Sequence, residues 1–346
     1  MTTYYIAIGQ RRKRNTTCLD VYFPEIKKVE DLDSHLESLS NVFTPVSNLS
    51  TEQKVLLTGK YSDLLLNTHY KDSDYSTSDT GVFCLSSLDT EIKSVEEAFF
   101  KLQLLSQRHV KPHQLNLNKL FPTLHNIAWT NVGPVLVDDV DQLRIQLGFN
   151  AKQLQVSHVD KFPYLVNYHI PTGVRIAAGA QVRLGAYLGE GTTVMPAGYI
   201  NFNAGTMGNA MIEGRVSAGV VVDCDTDVGG GASIMGTLSG GNNHVISVGK
   251  KCLLGANSGI GISLGDGCTV AAGVYVYAGK KVSLFDERNN PINLAGDIVE
   301  NGENIVKASE LSGRDYLLFI EDSQTGQLFC KPNTKVIELN QSLHAN

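Results

Sequence analysis

The sequence predicts a mainly β protein: an α/β N-terminal domain, then a left-handed parallel β-helix built on a hexapeptide repeat, then a small C-terminal β cap. Three observations carry that prediction. Of the 33 glycines, 24 fall between Gly173 and Gly279, so a glycine-rich middle separates two flanks of ordinary composition. Within the middle, Ile170, Ile176, Val182, Leu188, Val194 and Ile200 recur every six residues. An amphipathic helix repeats every 3.6 residues and a half-buried strand every 2, so neither sustains a period of six. A hexapeptide rhythm, with small residues after the aliphatic one, is the pattern of a parallel β-helix whose aliphatic side chains point inward. The third observation is that the rhythm breaks twice, by two residues each time.

Residues 1–150 read as the α/β domain. "YYIAIG", "TCLDVYF", "VFCLSSL" and "GPVLVDDV" have strand-like content, and "STEQKVLLTGKYSDLLL" and "SVEEAFFKLQLLSQR" carry apolar residues at helical spacing. Each of those helices opens on a capping-box pattern, Ser50 with Gln53 and Ser94 with Glu97. The basic run Arg11 to Arg14 is expected as a solvated turn after the first strand. Residues 151–169, ending in "PYLVNYHIP", read as a connector.

The β-helix is expected over 170–282. Thr206 and Ile212 continue the count of six, less cleanly at Thr206. The step then shortens by two, and Val216, Val222, Val228 and Ile234 set a new phase. An insertion, "MGTLSGGNNHVIS", leads to Val248, Leu254 and Ile260, and a second slip to Leu264, Val270, Val276 and Val282. Three six-residue sides make a coil of about 18 residues, so roughly six coils are expected. Residues 283–346 return to ordinary composition. "DYLLFIEDSQTGQLFCKP" predicts a hairpin turning at Gln324 to Gly326, followed by "TKVIEL", and this segment is placed to cover the unpaired edge of the coil.

Composition narrows the function. Hydrophobic content of 42% and charged content of 18% are those of a globular chain. A net charge of −6 excludes a general electrostatic attraction to nucleic acid or anionic membrane. The six cysteines have no paired spacing, the N-terminus has no signal-peptide pattern, and no apolar stretch reaches the ~18 residues of a membrane span. A cytoplasmic location is the expectation.

Four uses of a hexapeptide coil compete, because fold alone does not fix function. A carbonic-anhydrase-like metal enzyme needs three converging histidines, and only His244 lies well inside the coil, with His169 at its edge. A sugar-nucleotide transferase needs a glycine-rich nucleotide loop, which the N-terminal domain lacks. A purely structural solenoid gains nothing from phase slips and an insertion. A coenzyme-A-dependent acyltransferase, with an extended pantetheine arm along the coil, suits the small-residue faces "VGGGASIMG", "LLGANSGIG" and "AAGVYVYAG". Trimerisation of flat-sided coils would leave grooves for such an arm.

The strings "FNAGTMGNAMIEGRVSAGVVV", "DVGGGASIMGTLSGG", "HVISVGKKCLLGANSGIGISLGD" and "ELNQSLHAN" closely resemble the tetrahydrodipicolinate N-succinyltransferase family, which serves the succinylase route to diaminopimelate and lysine. The resemblance is strong over 170–346 and loose over the first 150 residues, and it is closest to the actinobacterial-type branch with a long N-terminal domain. It implies a homotrimer that transfers succinyl from succinyl-CoA to an amine, with acetyl-CoA or another amine acceptor as the alternative. Glu213 matches the family's "EGR" glutamate, which takes the acyl group as a mixed anhydride; general base is the other chemical use of a carboxylate there. The bland alternative is a surface carboxylate paired with Arg215.

The resemblance further assigns cofactor contacts to Arg215, Gly230, Ser233, Ala256, Ala271, Ala272, Gly279 and Lys307, and to the stretch Ile320, Glu321, Asp322 and Ser323. Arg215 suits the succinyl carboxylate as a bidentate partner, with a plain salt bridge as its alternative. Lys307 suits the coenzyme phosphates, and corner geometry accounts equally for any single glycine. "SGGNNHVIS" reads as an arm reaching across a subunit boundary, with a structural His244. Some relatives bind a divalent ion through acidic residues near the trimer axis. The matching positions here are Ala180 and Ala197, so no metal is expected.

Overall fold

The structure, a computed structural model, describes residues 3–30, 32–58, 75–236, 245–300 and 302–335. The chain divides into two compact units, Met1–His169 and Ile170–Asn346.

In the first unit the apolar run "YYIAI" begins the long strand Tyr4–Arg14. It pairs antiparallel with Thr17–Tyr22, Thr77–Leu85 and Lys27–Val29, and Thr44–Pro45 lies beyond Thr77–Leu85. Alternate residues of a strand face opposite ways. Ile6 and Ile8 therefore enter one core with Leu36, Leu49 and Val82. Phe23, Phe83 and Phe100 stack in a second cluster, with ring centroids 4.9 and 5.0 Å apart along the chain of contacts. Phe100 comes from the helix Val95–Ser106, which packs on Thr17–Tyr22. On that helix Gln103 is fully buried, and its amide donates to Val21 O at 2.9 Å and accepts from Phe23 N–H at 2.9 Å. A buried amide is thus satisfied by the strand backbone, as burial demands. Residues 151–169, expected as a connector, carry the strand Val156–Asp160, which joins Ile127–Thr130 and Gly133–Leu136 in a second antiparallel sheet.

The capping boxes differ from each other. Ser50 and Gln53 bond reciprocally at 3.1 and 3.0 Å. Ser94 accepts from Glu97 N–H at 3.1 Å, but the Glu97 carboxylate turns to Lys93 N–H at 3.0 Å and to the buried Lys101 ammonium at 3.2 Å. The rest of the first helical pattern, from residue 59 to 66, lies outside the described residues.

Arg11 to Arg14 correct an expectation. They are not a solvated turn but the second half of the first strand, and each has a partner. Arg11 grips Asp79 at 2.8 and 2.9 Å and Glu96 at 2.7 Å, while Lys13 meets Asp79 at 2.6 Å. Arg14 lies 4.4 Å over the Tyr75 ring and donates to Tyr75 O at 2.7 Å. Arg12 donates to both oxygens of the fully buried Asp20, and Oδ2 also accepts from the Tyr168 hydroxyl. Burial, and then the Asp20 charge, hold the Tyr168 phenol well above its ordinary pKa. A run of cations thus becomes strand wherever carboxylates stand opposite.

In the second unit the chain visits three parallel sheets in rotation. The first face runs Arg175–Ile176, Thr192–Val194, Ala210–Ile212, Thr226–Val228, Leu253–Leu254, Thr269–Val270. The second runs Gln181–Val182, Tyr199–Ile200, Arg215–Val216, Ser233–Ile234, Gly259–Gly261, Tyr275–Tyr277. The third runs Tyr187–Leu188, Gly205–Thr206, Val221–Val222, Ser247–Val248. The aliphatic residue of each hexad from Val182 onward is buried, so the period of six is the period of the core. Thr206 holds its inward place because its hydroxyl lies 2.7 Å from that of Thr192. Ile170 is a correction: it is 76% exposed, since it precedes the first strand of the coil and no row encloses it.

The C-terminal segment continues the first face. Leu317–Glu321 pairs parallel with Thr269–Val270, sets the fully buried Phe319 in the inward place, and turns back antiparallel as Leu328–Pro332. His244, most of "SGGNNHVIS", most of "TKVIEL" and all of "ELNQSLHAN" lie outside the described residues.

The Arg12→Met variant leaves the Asp20 carboxylate buried without its cation. It is expected to lose about 3 kcal/mol of stability, the low end for a broken buried pair because the guanidinium is partly exposed. A lower urea midpoint checks this, and an unchanged midpoint contradicts it.

Candidate active site

The first slip falls on the corner between the first and second faces. In neighbouring rows this corner is full: Val194 reaches Ile200 through Met195–Tyr199, and Val228 reaches Ile234 through Gly229–Ser233. Between them Ile212 reaches Val216 through Glu213, Gly214 and Arg215 alone. The rows above and below still pair in register, so the missing residues leave a notch one row high. Full corners bond to each other, as Asn257 N–H does to Gly230 O and Gly273 N–H to Ala256 O, both at 2.9 Å. Across the notch that partner is gone. Among the described residues the N–H of Gly231, the counterpart of Asn257 and Gly273, donates to no protein acceptor, and neither does that of Gly230, whose counterparts Ala256 and Ala272 are unbonded in the full corners as well.

Glu213 borders this notch. Its N–H bonds Val228 O at 2.8 Å, which fixes its backbone in the row ladder, and its half-exposed side chain reaches toward the next row. Its Oε2 would lie 3.3 Å from a Cβ at Gly230, with nothing else near that position. Arg215 points outward from the second face and does not pair with Glu213. Its Nε and Nη2 donate to Ser233 Oγ at 3.1 and 2.5 Å. The salt-bridge alternative for both residues is therefore not realised among the described residues.

The other predicted residues fall into two groups. Gly229, Gly255 and Ala271 follow Glu213 down the same corner, each N–H bonding the next row at 2.8 to 2.9 Å, the last to Phe319 O. This corner carries Gly230, then Ala256, then Ala271 with Ala272 in three successive rows and continues to Ile320–Ser323. Four row steps of about 4.8 Å span roughly 19 Å, the reach of an extended pantetheine arm. Gly279 and Lys307 lie instead past the far end of the second face, where Ala308 N–H bonds Lys280 O and Lys281 pairs with Lys307. Lys280 joins the two groups, its Nζ lying 3.4 Å from Glu321 Oε2. Asp322 closes the hairpin turn, accepting from the N–H groups of Gln324 and Thr325, and these bonds lower its carboxyl pKa.

The second slip makes the second opening. Ile260 reaches Leu264 through only Gly261, Ile262 and Ser263, and beside them lies a recess of about 420 Å³. Ile246, Ala278, Ser309 and Ser312 complete its lining, next in sequence to Gly279 and close to Lys307. Sequence reading missed Lys280 and Lys281; "GKKV" after the last repeat glycine was the available signal. Ala180 and Ala197 carry no donor atoms, and among the described residues no group of three or more His, Cys, Asp or Glu could hold a metal ion.

Comparison with known proteins identifies the family. Residues 245–278 match the family described as hexapeptide repeat of succinyl-transferase, and residues 124–164 match tetrahydrodipicolinate N-succinyltransferase middle. A 2,3,4,5-tetrahydropyridine-2,6-dicarboxylate N-succinyltransferase of Pseudomonas paraeruginosa is 53% identical over 265 residues, 77% of this chain and 74% of the relative. That decides the family. The chain belongs to the tetrahydrodipicolinate N-succinyltransferases. The Vibrio cholerae member is 50% identical over the same shares. A crystal structure of a candidate 2,3,4,5-tetrahydropyridine-2-carboxylate N-succinyltransferase from Campylobacter jejuni superposes with a TM-score of 0.78 at 33% identity, covering 96% of this chain and 93% of that one. The match at 124–164 places a family-specific segment in the first unit, where the sequence strings had shown only a loose likeness.

Two glycines of the site should behave oppositely. A Cβ at Gly214 would meet Ala232 O at 2.4 Å, whereas one at Gly279 meets nothing within 4 Å. Gly214→Ala is expected to lower stability by about 1–3 kcal/mol. Gly279→Ala should leave the thermal midpoint unchanged. Equal melting of the two variants would refute the packing reading.

Proposed function

We propose that this chain transfers succinyl from succinyl-CoA to the amino group of tetrahydrodipicolinate in its ring-opened form, 2-amino-6-oxopimelate, in the succinylase route to diaminopimelate and lysine. The observation that carries the proposal is Glu213 at the short corner, beside the bare backbone of Gly230. In the reaction the amine nitrogen forms a bond to the succinyl carbonyl carbon. The C–S bond breaks, and the thiolate leaves as the coenzyme thiol once it gains a proton. Glu213 serves this chemistry either by taking the acyl group first or by removing the amine proton. The unpaired N–H groups of Gly230 and Gly231 suit the negative charge that develops on the carbonyl oxygen.

The acyl-CoA contacts are proposed in the same terms. The small residues Gly230, Ala256, Ala271 and Ala272 leave a smooth corner for the pantetheine arm, with Arg215 and Ser233 at its acyl end. Ile320, Glu321, Asp322 and Ser323 border the far end. There Lys307, with Lys280 and Lys281 close by, supplies positive charge for phosphates in a chain of net charge −6. Gly279 keeps open a space that its own chain does not fill. No divalent ion is assigned a part. An uncompensated Arg215 favours a carboxylate-bearing acyl group over acetyl.

The three-sided coil is taken as left-handed, and the molecule as a homotrimer whose inter-coil grooves hold the arm. The exposed Tyr277 and Val245 of the second unit give apolar surface for such packing. The six cysteines are all free thiols, which fits a cytoplasmic enzyme. Analytical ultracentrifugation tests the trimer.

Thiol release from succinyl-CoA in the presence of tetrahydrodipicolinate tests the reaction. Wild type should turn over, and Glu213→Gln should lose about 10²–10⁴-fold in kcat without losing its assembly. Full activity in the variant removes Glu213 from the chemistry. A stoichiometric burst of thiol without the amine marks Glu213 as acyl acceptor; release strictly dependent on the amine marks it as base.

A further inference from the structure

One outward column of the second face runs in register through Tyr199, Arg215, Ser233, Gly259 and Tyr275. Two of its side chains lean toward each other. Arg215 leans one row down, onto Ser233. Tyr275 leans one row up, and its ring covers the backbone of Gly259. A Cβ at residue 259 would lie 2.2 Å from Cε1, 2.4 Å from Cδ1 and 2.9 Å from Cζ of that ring. The Gly259 backbone is not in the left-handed region, so the ring and not the turn geometry excludes a side chain there. Ser233 is 8% exposed and Gly259 has no side chain, so the floor between the two leaning groups is flat and uncharged. Among the described residues Arg215 has no carboxylate partner, and Tyr275 is 41% exposed.

A cationic fork and a phenol therefore flank an uncharged floor within a row or two of the Glu213 carboxylate. An acyl chain of four carbons with a carboxylate at its far end spans roughly one row spacing, ~4.8 Å. We infer that Tyr275 is a specificity residue for the transferred acyl group, holding the distal carboxylate of the donor together with Arg215. The phenol donates a hydrogen bond to the carboxylate that a methyl-ended acyl group cannot accept, and this discriminates between donors. The inference rests on the succinyl-transfer reading above. The amine acceptor also carries carboxylates, and its kinetics separate the two sources.

The test compares kcat/KM for succinyl-CoA and for butyryl-CoA, a donor of equal chain length ending in methyl, using the full chain. Tyr275→Phe should lower the succinyl-to-butyryl ratio about tenfold, through KM for succinyl-CoA, with KM for tetrahydrodipicolinate unchanged. Gly259→Ala, which displaces the ring, should lower the same ratio. The ratio is internal to each variant, so a partly folded preparation does not mimic the effect. An unchanged ratio in both variants overturns the assignment, as does a change confined to KM of the acceptor. If wild type transfers no succinyl group, the succinyl-transfer reading falls and this one with it. If wild type is active and the ratio does not move, only the role of Tyr275 falls.

Discussion

The row-to-row backbone ladder of the second unit is the constraint on which the site depends. Each strand of the coil is two to five residues long and is held chiefly by parallel bonds to the rows on either side. A shift of one residue would turn Ile212 or Val216 outward and bring polar neighbours into the core, so register is fixed by burial. Two residues missing from one corner therefore cannot be absorbed by sliding the strands. The shortfall stays at the corner as a notch, flanked by complete corners, and the Gly231 N–H lacks the acceptor that Ala197, Asn257 and Gly273 find at the same place in their rows.

The same ladder sorts the glycines by purpose. Gly214 is required by packing, since a side chain there would strike the carbonyl of Ala232. Gly205 is required by backbone, with a φ of 159° and Tyr187 O 1.8 Å from any Cβ. Gly230 and Gly279 are required by neither, and both lie where the family's cofactor contacts were expected.

Much of this was legible in the sequence because a β-helix writes its core as a period, and both slips and Glu213 stand out from that period. What stayed hidden was set by partners distant in sequence. The run Arg11 to Arg14 reads as solvated until Asp20, Asp79, Glu96 and Asp139 are brought opposite it. Gln103 has no counterpart in the helical pattern that would show its amide meeting the strand backbone at Val21 and Phe23. Ile170 keeps the count of six but precedes the first strand of the coil, so pattern alone overstated its burial. Tyr275 reads as one more exposed aromatic until Gly259, one row away, explains where its ring lies. Lys280 and Lys281 gain meaning only when Lys307 pairs beside them.

Arg215 shows how little such a site needs beyond its scaffold. An arginine on a protein of net charge −6 is ordinarily claimed by a carboxylate, as Arg11 and Arg12 are in the first unit. Here the neighbouring carboxylate, Glu213, lies at the corner facing Gly230, while Arg215 lies on the flat of the face over Ser233. The short corner separates them: it lets Glu213 turn toward the gap while the ladder holds Arg215 in the strand. Ser233 fixes the fork by hydrogen bonds without neutralising it. Among the described residues the guanidinium therefore has no carboxylate beside it.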